Sequence, residues 1–179
     1  MKNERLLSLR NQMKEAGVHC MVIPTSDYHN SEYVSDFFMA RKYFSGFTGS
    51  AGTLVVTPDE AALFTDGRYF IQAAKELKDS GITLMKMGEP EVPTMTEYVD
   101  QKLQQGWTLC FDGRVLTSSR EVSLKKLSGS MEDSSALTLI CVMRHGKTVR
   151  RSFIIRSLFF PKNMPERAWK RNSQEYVRR

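Results

Sequence analysis

Short apolar runs alternate with segments of helical spacing along the N-terminal two thirds of the chain. Apolar residues recur every three or four positions over residues 3–16, and Gly17 follows as a stop. This pattern predicts an amphipathic helix at the N-terminus. The apolar run at 20–23, closed by Pro24, predicts a short buried strand.

The stretch from residue 41 to residue 72 predicts the centre of the fold. Residues 53–57 and 61–65 are two apolar runs separated by the turn sequence Pro-Asp-Glu, which predicts a β-hairpin. Thr65-Asp66-Gly67 then opens a helix, with Asp66 accepting hydrogen bonds from its first N–H groups. Upstream, residues 35–42 predict a short helix or an irregular turn.

The remaining elements continue the alternation. Residues 82–87 and 107–111 predict strands, and residues 118–127 predict a helix. Thr94 and Glu97 have the spacing of a capping box, which starts a helix that runs to about residue 105. The predicted order is α, β, (α), β, β, α, β, α, β, α. Because the hairpin interrupts the alternation, the pattern predicts a three-layer α/β fold with a mixed sheet and helices on both faces.

Charge changes this picture only at the C-terminal end. The chain of 179 residues is long enough for one domain with a real core, and its net charge is +6. Residues 141–179 hold eight Arg and three Lys against two Glu (+9), which leaves +6 − 9 = −3 for residues 1–140. The sequence therefore describes a mildly acidic domain followed by a basic tail.

The cysteines and the hydropathy of the chain indicate the cellular compartment of the protein. Cys20, Cys110 and Cys141 are odd in number and form no CxxC motif, which predicts buried free thiols in a reducing compartment. No apolar run approaches the roughly 20 residues of a membrane helix, and the N-terminus has no continuous apolar core typical of a secretory signal. We therefore predict a cytoplasmic protein without a membrane partner.

Three glycines recur at every third position of the central stretch, at Gly46, Gly49 and Gly52. A P-loop would need a lysine and a helix after the glycines, and a dinucleotide fingerprint would also need a following helix. Here a strand follows instead. The glycines are therefore interpreted as a tight connection that feeds the hairpin.

Two loops carry polar candidates. Asp27, His29 and Glu32 match no standard metal spacing, so we interpret them as residues that hold their own loop in shape or lie at an interface. Arg68 lies in the first turn of a helix, where a cation is unfavourable. This mismatch predicts a partner among Asp66, Asp27 and Glu32, and a structural salt bridge is favoured over a substrate clamp.

Three segments resemble a known family: FSGFTGSAGT at 44–53, TDGRYFIQAA at 65–74, and IPTSDYHNSEYVSDFFMARKYFSGF at 23–47. They are similar to the N-terminal domain of the large Xaa-Pro aminopeptidases (aminopeptidase P) of the creatinase/prolidase superfamily, over roughly residues 4–130. The resemblance implies a ribonuclease H-like α/β fold. It also implies that the intact enzyme hydrolyses the bond between a first residue and a following proline.

The resemblance implies that catalysis belongs to another part of the intact enzyme. There, two manganese ions are held by two Asp, one His and two Glu of a C-terminal domain, for which this chain shows no matching motif. We therefore expect no catalytic residue, no metal ligand and no cofactor in this chain, and no activity of the chain alone. The expected partners are the missing catalytic domain and a possible homodimer, and a peptide substrate binds only in the intact enzyme.

The resemblance also suggests which residues face the active site or a partner subunit, where N-terminal domains of this family shape substrate access and assembly. The candidates all lie in or next to the glycine turn: Arg41, Tyr43, Phe44, Gly46, Phe47, Gly49 and Gly52.

The tail differs in character from the domain before it. We assign residues 1–135 to the aminopeptidase P-like domain and residues 136–179 to a basic tail that is non-native or disordered. Codons can be chosen for residues 139–149 and 162–174 so that one other reading frame spells two family-like segments, DLCDETRKDRP and KYAGKSVEEKLA, in family order. We therefore hypothesise a frameshift near residues 132–140, which sequencing of the coding DNA would test.

The sequence leaves two other functions open. The first is a stand-alone binding or oligomerisation module whose basic tail contacts anions, although a nucleic-acid partner is disfavoured because the positive charge belongs to the tail alone. The second is a ribonuclease H-like nuclease. It ranks last, because the strands at 20–23, 53–57, 61–65 and 82–87 contain no carboxylates.

Overall fold

The strands at residues 20–24, 53–56, 61–65 and 108–112 send alternate side chains to opposite faces of the central sheet, and all of their residues are buried. The computed structural model describes residues 2–31, 33–127, 139–143 and 149–150. The helices are α1 (Lys2–Glu15), α2 (Ala40–Ser45), α3 (Phe70–Glu76), α4 (Met95–Lys102) and α5 (Ser118–Leu127). The strands are β1 (Cys20–Pro24), β2 (Thr53–Val56), β3 (Ala61–Thr65), β4 (Thr83–Lys86), β5 (Thr108–Asp112), β6 (Leu139–Met143) and β7 (Val149–Arg150). Two 3-10 turns, Asp36–Phe38 and Gly67–Tyr69, precede α2 and α3.

The sheet is mixed, as predicted, with the order β4-β3-β2-β1-β5-β6-β7. β1 pairs with β5 and β3 pairs with β4 in parallel, whereas β2 runs antiparallel to both β1 and β3. β6 and β7 extend the sheet in antiparallel pairs. They lie within the segment predicted as a tail, 136–179, and the rest of that segment lies outside the described residues.

Two hydrophobic cores sandwich the sheet. Met21 and Ile23 of β1 pack into the core on the α1, α2 and α3 side, together with Leu9, whereas Cys20 and Val22 pack into the core on the α4 and α5 side. The two-residue period of a strand produces this division. The three-layer α/β prediction is therefore confirmed.

Short-range sequence signals determine where several of the helices begin and end. Thr94 and Glu97 form the predicted capping box, with the Thr94 hydroxyl accepting from the Glu97 N–H and the Glu97 carboxylate accepting from the Thr94 N–H. Gly46 ends α2 in the left-handed conformation at φ 72°. Helix α4 ends at Lys102, earlier than predicted, because Leu103 becomes extended and its side chain is buried.

The cysteines differ from the expectation of free thiols in one respect. Cys20 is free and buried, and burial raises the pKa of its thiol to about 12. Cys110, by contrast, is disulfide-bonded. Its register partner in the antiparallel pair of β5 and β6 is Cys141. The pairing of these two strands brings the two positions opposite each other, and the spacing of the cysteines along the sequence does not reveal it.

Candidate functional site

The loops that carry the predicted candidates meet at one edge of the sheet. Strands β1, β3, β4 and β5 all run in the same direction, so their carboxyl ends lie at the same edge. The loop after β1 (25–31), the turn before β2 (46–52) and the segment after β3 (66–69) therefore lie side by side. We call this surface the carboxyl edge.

Arg41 holds the glycine turn from the inside. Its guanidinium donates to the carbonyl oxygens of Phe47, at 2.6 Å, and of Gly49. Its Nε donates to the Thr25 hydroxyl at 2.7 Å, which joins the turn to the end of β1. The guanidinium also lies over the Phe47 ring, 4.8 Å from its centre.

The environment of Arg41 is unusual for a cation. The residue is only 2% exposed, and burial lowers the pKa of its guanidinium to about 10, although the nearby Glu76 carboxylate and Tyr69 hydroxyl act in the opposite direction. A buried cation of this kind is tolerated when acceptors satisfy its donors, as the carbonyl groups of the turn do here.

The outer side of the turn is tied to α3. The Glu76 carboxylate accepts from the Thr48 N–H at 2.7 Å and from the Thr48 hydroxyl at 2.6 Å. The Ser50 and Tyr69 hydroxyl groups are 2.7 Å apart, and the Thr65 hydroxyl donates to the Ala51 carbonyl. The turn therefore has a fixed shape rather than the freedom that three glycines suggest.

The seven turn candidates divide into two groups by exposure. Arg41, Phe44, Phe47 and Gly49 are buried and support the turn from within. Tyr43, Gly46 and Gly52 are partly exposed. Whether this surface contacts a partner stays a prediction, and the exposed side chains available for such a contact include Lys42 and Thr48.

Asp27 organises the loop after β1. Its carboxylate accepts from the N–H groups of His29 and Ser31, each at 2.9 Å. Although partial burial by itself would raise it, these hydrogen bonds from Ser31 and His29 lower the pKa of Asp27. His29 itself is exposed, and Glu32 lies outside the described residues.

Replacement of Asp27 is expected to have a pH-dependent effect. Because the pKa of Asp27 is lower in the folded than in the unfolded chain, its contribution to stability is present above the unfolded value and is lost as pH falls through the folded value. Thermal unfolding from pH 7 to pH 2 should show Asp27→Asn less stable than the parent at pH 7, with the difference closing below about pH 4. A difference that stays constant over this range would contradict the role assigned to the carboxylate.

Two Asp-Gly-Arg sequences at the carboxyl ends of parallel strands form the same set of hydrogen bonds. Asp66 accepts from the Arg68 N–H and pairs with both Nε and the terminal nitrogen of its guanidinium at 2.9 Å. These hydrogen bonds from Arg68 lower the pKa of Asp66. Of the predicted partners for Arg68, Asp66 is therefore the one observed among the described residues. The pair is exposed, so it contributes little stability.

The second pair, Asp112 and Arg114, was not identified from the sequence. It has the same bonds, at 2.6 to 3.0 Å, but it is largely buried. Although burial by itself lowers it, the hydrogen bonds to Asp112 raise the pKa of Arg114, whose guanidinium lies 5.4 Å from the centre of the Tyr28 ring. The repeated tripeptide was the available signal, and the pair links the end of β5 to the loop after β1.

No cluster of three or more His, Cys, Asp or Glu side chains suited to a metal ion occurs within residues 2–31 and 33–127 or the short strands beyond them. The donor sets in this part of the chain therefore do not fit the two manganese ions that the resemblance implies. None of the described helices is long and apolar enough to cross a membrane.

The chain is similar to proteins of one family. A profile described as Creatinase/Prolidase N-terminal domain matches residues 5–145. A probable Xaa-Pro aminopeptidase P from Talaromyces marneffei is 44% identical over 134 residues, which is 75% of this chain and 20% of that protein. Aminopeptidase P2 from Arabidopsis thaliana is 44% identical over 127 residues, 70% of this chain and 18% of that protein. The chain thus spans about a fifth of the length of these relatives.

Solved structures show the same fold. The X-prolyl aminopeptidase of Caenorhabditis elegans, described as a cytosolic enzyme with a di-nuclear active site, matches with a TM-score of 0.67 and 32% identity. The match covers 72% of this chain and 23% of the nematode enzyme. An isolated N-terminal creatinase/prolidase-like domain of a putative metallopeptidase from Corynebacterium diphtheriae matches with a TM-score of 0.51 at 22% identity, over 72% of this chain and 90% of that domain.

Proposed function

The chain belongs to the creatinase/prolidase N-terminal domain family, and from this premise we propose that it is the non-catalytic N-terminal domain of a cytoplasmic Xaa-Pro aminopeptidase. The observation that carries the proposal is the 44% identity to two aminopeptidase P proteins over most of this chain but only a fifth of theirs. Chemistry on the peptide bond then belongs to the remaining part of such an enzyme, which supplies the metal pair.

In this proposal the carboxyl edge shapes access to the active site of the intact enzyme. The turn at 46–52 is fixed by a buried cation on one side and by a carboxylate on the other. A turn with a fixed backbone is suited to line a substrate entrance that admits some peptides and excludes others, because a rigid surface loses little conformational entropy when a peptide contacts it. The exposed Lys42 and Thr48 provide the side chains of that entrance.

Two experiments test the proposal. The purified chain with Mn²⁺ and a tripeptide that has proline in second place should release no first residue above a heat-inactivated control, and appreciable hydrolysis would refute the non-catalytic assignment. In the second, the matching segment of Arabidopsis aminopeptidase P2 is replaced by that of this chain. The chimera should hydrolyse the tripeptide, because the family fold is retained.

The same chimera tests substrate access. Lys42→Glu should raise KM for a peptide of about ten residues severalfold, with kcat changed less than twofold, because access and not chemistry is altered and the Thr48 hydrogen bonds to Glu76 are kept. Lys14→Glu, which changes the net charge equally at an exposed position of α1, is the control. Equal KM values in both variants would refute the role of the carboxyl edge and leave the family assignment intact.

A further inference from the structure

One end of the sheet is open among the described residues. β4 is the last strand there, and within this part of the chain it pairs with β3 alone. The Met87 N–H donates to the Thr65 carbonyl on β3, so the backbone groups of Leu84 and Lys86 point away from β3, since the direction alternates along a strand. The Lys86 carbonyl already accepts from the Glu89 N–H, so the template for another strand consists of the Leu84 N–H and carbonyl and the Lys86 N–H.

A groove lies beside this edge, between α3 and β4. Its volume is about 410 Å³, and it is lined by Phe70, Ile71, Ala74, Lys75, Lys78 and Lys86. Ile71 is 77% exposed, and Met87, the residue that follows β4, is 43% exposed. Apolar side chains this exposed beside a free strand edge are typical of a contact surface.

The charge of the groove selects its occupant. All three ionisable residues that line it are lysines, in a segment, 1–140, whose net charge is −3. The basic residues 141–179 have the same sign as the groove, so they are an unfavourable occupant. The Lys86 ammonium lies 5.6 Å from the centre of the Phe70 ring, which places positive charge directly beside the apolar floor.

We propose that the free edge of β4 and the adjoining face of α3 form a docking site for an acidic, extended polypeptide segment, which adds to the sheet as a further strand. Its backbone pairs with the outward N–H and carbonyl of Leu84 and with the outward N–H of Lys86. Successive side chains of a strand alternate between faces, so every second residue meets the α3 side. There, carboxylates meet Lys75 and Lys78, and small apolar groups cover Ile71.

The test uses the full chain and a fluorescein-labelled octapeptide, Glu-Ser-Val-Ser-Glu-Ser-Val-Ser, in which Glu and Val alternate along one face of the extended strand, with a peptide that has Lys in place of Glu as the sequence control. Fluorescence anisotropy should show saturable binding of the acidic peptide alone. Lys75→Glu with Lys78→Glu should weaken binding at least tenfold, whereas Lys14→Glu with Lys126→Glu, which changes the net charge equally at exposed positions elsewhere, should change it less than twofold. Lys75 and Lys78 are exposed as well, and circular dichroism confirms that each variant is folded.

Hydrogen exchange locates the bound peptide. The amides of Leu84 and Lys86 should become protected when the peptide is added, because their outward N–H groups acquire partners. Binding that survives the Lys75 and Lys78 substitutions would place the peptide on the basic residues 141–179 and overturn the proposal. So would the absence of binding, binding without protection of β4, or equal competition by a single-stranded DNA oligomer. None of these outcomes depends on the proposed aminopeptidase function.

Discussion

Arg41→Ala is expected to lower the free energy of unfolding by about 3 kcal/mol or more, because it leaves several buried acceptors without a donor. The Phe47 and Gly49 carbonyl oxygens and the Thr25 hydroxyl all accept from this one guanidinium. The substitution also leaves a cavity beside the fully buried Phe47 ring. Urea denaturation at 25 °C measures the loss as a lower midpoint at an unchanged slope.

Two further variants test this explanation: one keeps the positive charge at position 41 without the guanidinium geometry, and the other changes an exposed neighbour. Arg41→Lys keeps a cation but cannot reach three acceptors in one plane, so we expect an intermediate loss of about 2 kcal/mol. Lys42→Ala changes the neighbouring, exposed residue of the same helix and should stay within about 0.5 kcal/mol of the parent. A loss below about 1 kcal/mol for Arg41→Ala would show that other contacts hold the turn.

The elements were predictable because their signals are local. The hairpin of β2 and β3 follows from two apolar runs around a turn, and the structure pairs Val55 with Ala62 and Leu54 with Leu63 accordingly. The start of α4 follows from the Thr94 and Glu97 capping box, which needs no information from beyond four residues. For this reason the predicted order of the first ten elements agrees with the structure.

The interior of the candidate site was not predictable in the same way. Arg41 lies in a short helix before the glycine turn, and a cation at such a position is expected to be exposed. It is buried instead, because the fold brings the end of β1 against it. The role of Glu76 likewise depends on a residue 28 positions earlier, Thr48. Both arrangements require the order of strands in the sheet, which places β2 between β1 and β3 and so brings the turn before β2 beside the carboxyl ends of both neighbours.

The glycines illustrate the same distinction between local and distant causes. Gly46 is required by its own backbone, since it ends α2 at a positive φ. Gly49 and Gly52 are required by what lies next to them: a Cβ at Gly52 would be 3.1 Å from the Phe64 carbonyl oxygen, which belongs to β3 and cannot withdraw. The three glycines are equally spaced in the sequence, and only the structure shows that one is needed for its backbone conformation and two for the space around them.

Gly49→Ala is expected to destabilise the chain by about 2–3 kcal/mol through overpacking. A Cβ at this position would be 2.3 Å from the Phe47 Cζ and 2.8 Å from the Tyr69 Cδ1. The Phe47 ring is fully buried and has the Arg41 guanidinium over its face, so it cannot move aside without disturbing the bonds that hold the turn. The measurement is the same urea denaturation, together with the Tm.

Gly67→Ala is the matched control, because a Cβ there would meet only the Phe70 ring edge at 3.9 Å, an ordinary contact. It should change the free energy of unfolding by less than about 0.5 kcal/mol. A double-mutant cycle then identifies the clash: Phe47→Leu removes the Cζ, so Gly49→Ala should cost less in that background than in the parent. Strictly additive losses would mean that the Phe47 ring is not what excludes a side chain at position 49, and that the turn is more adaptable than its hydrogen bonds indicate.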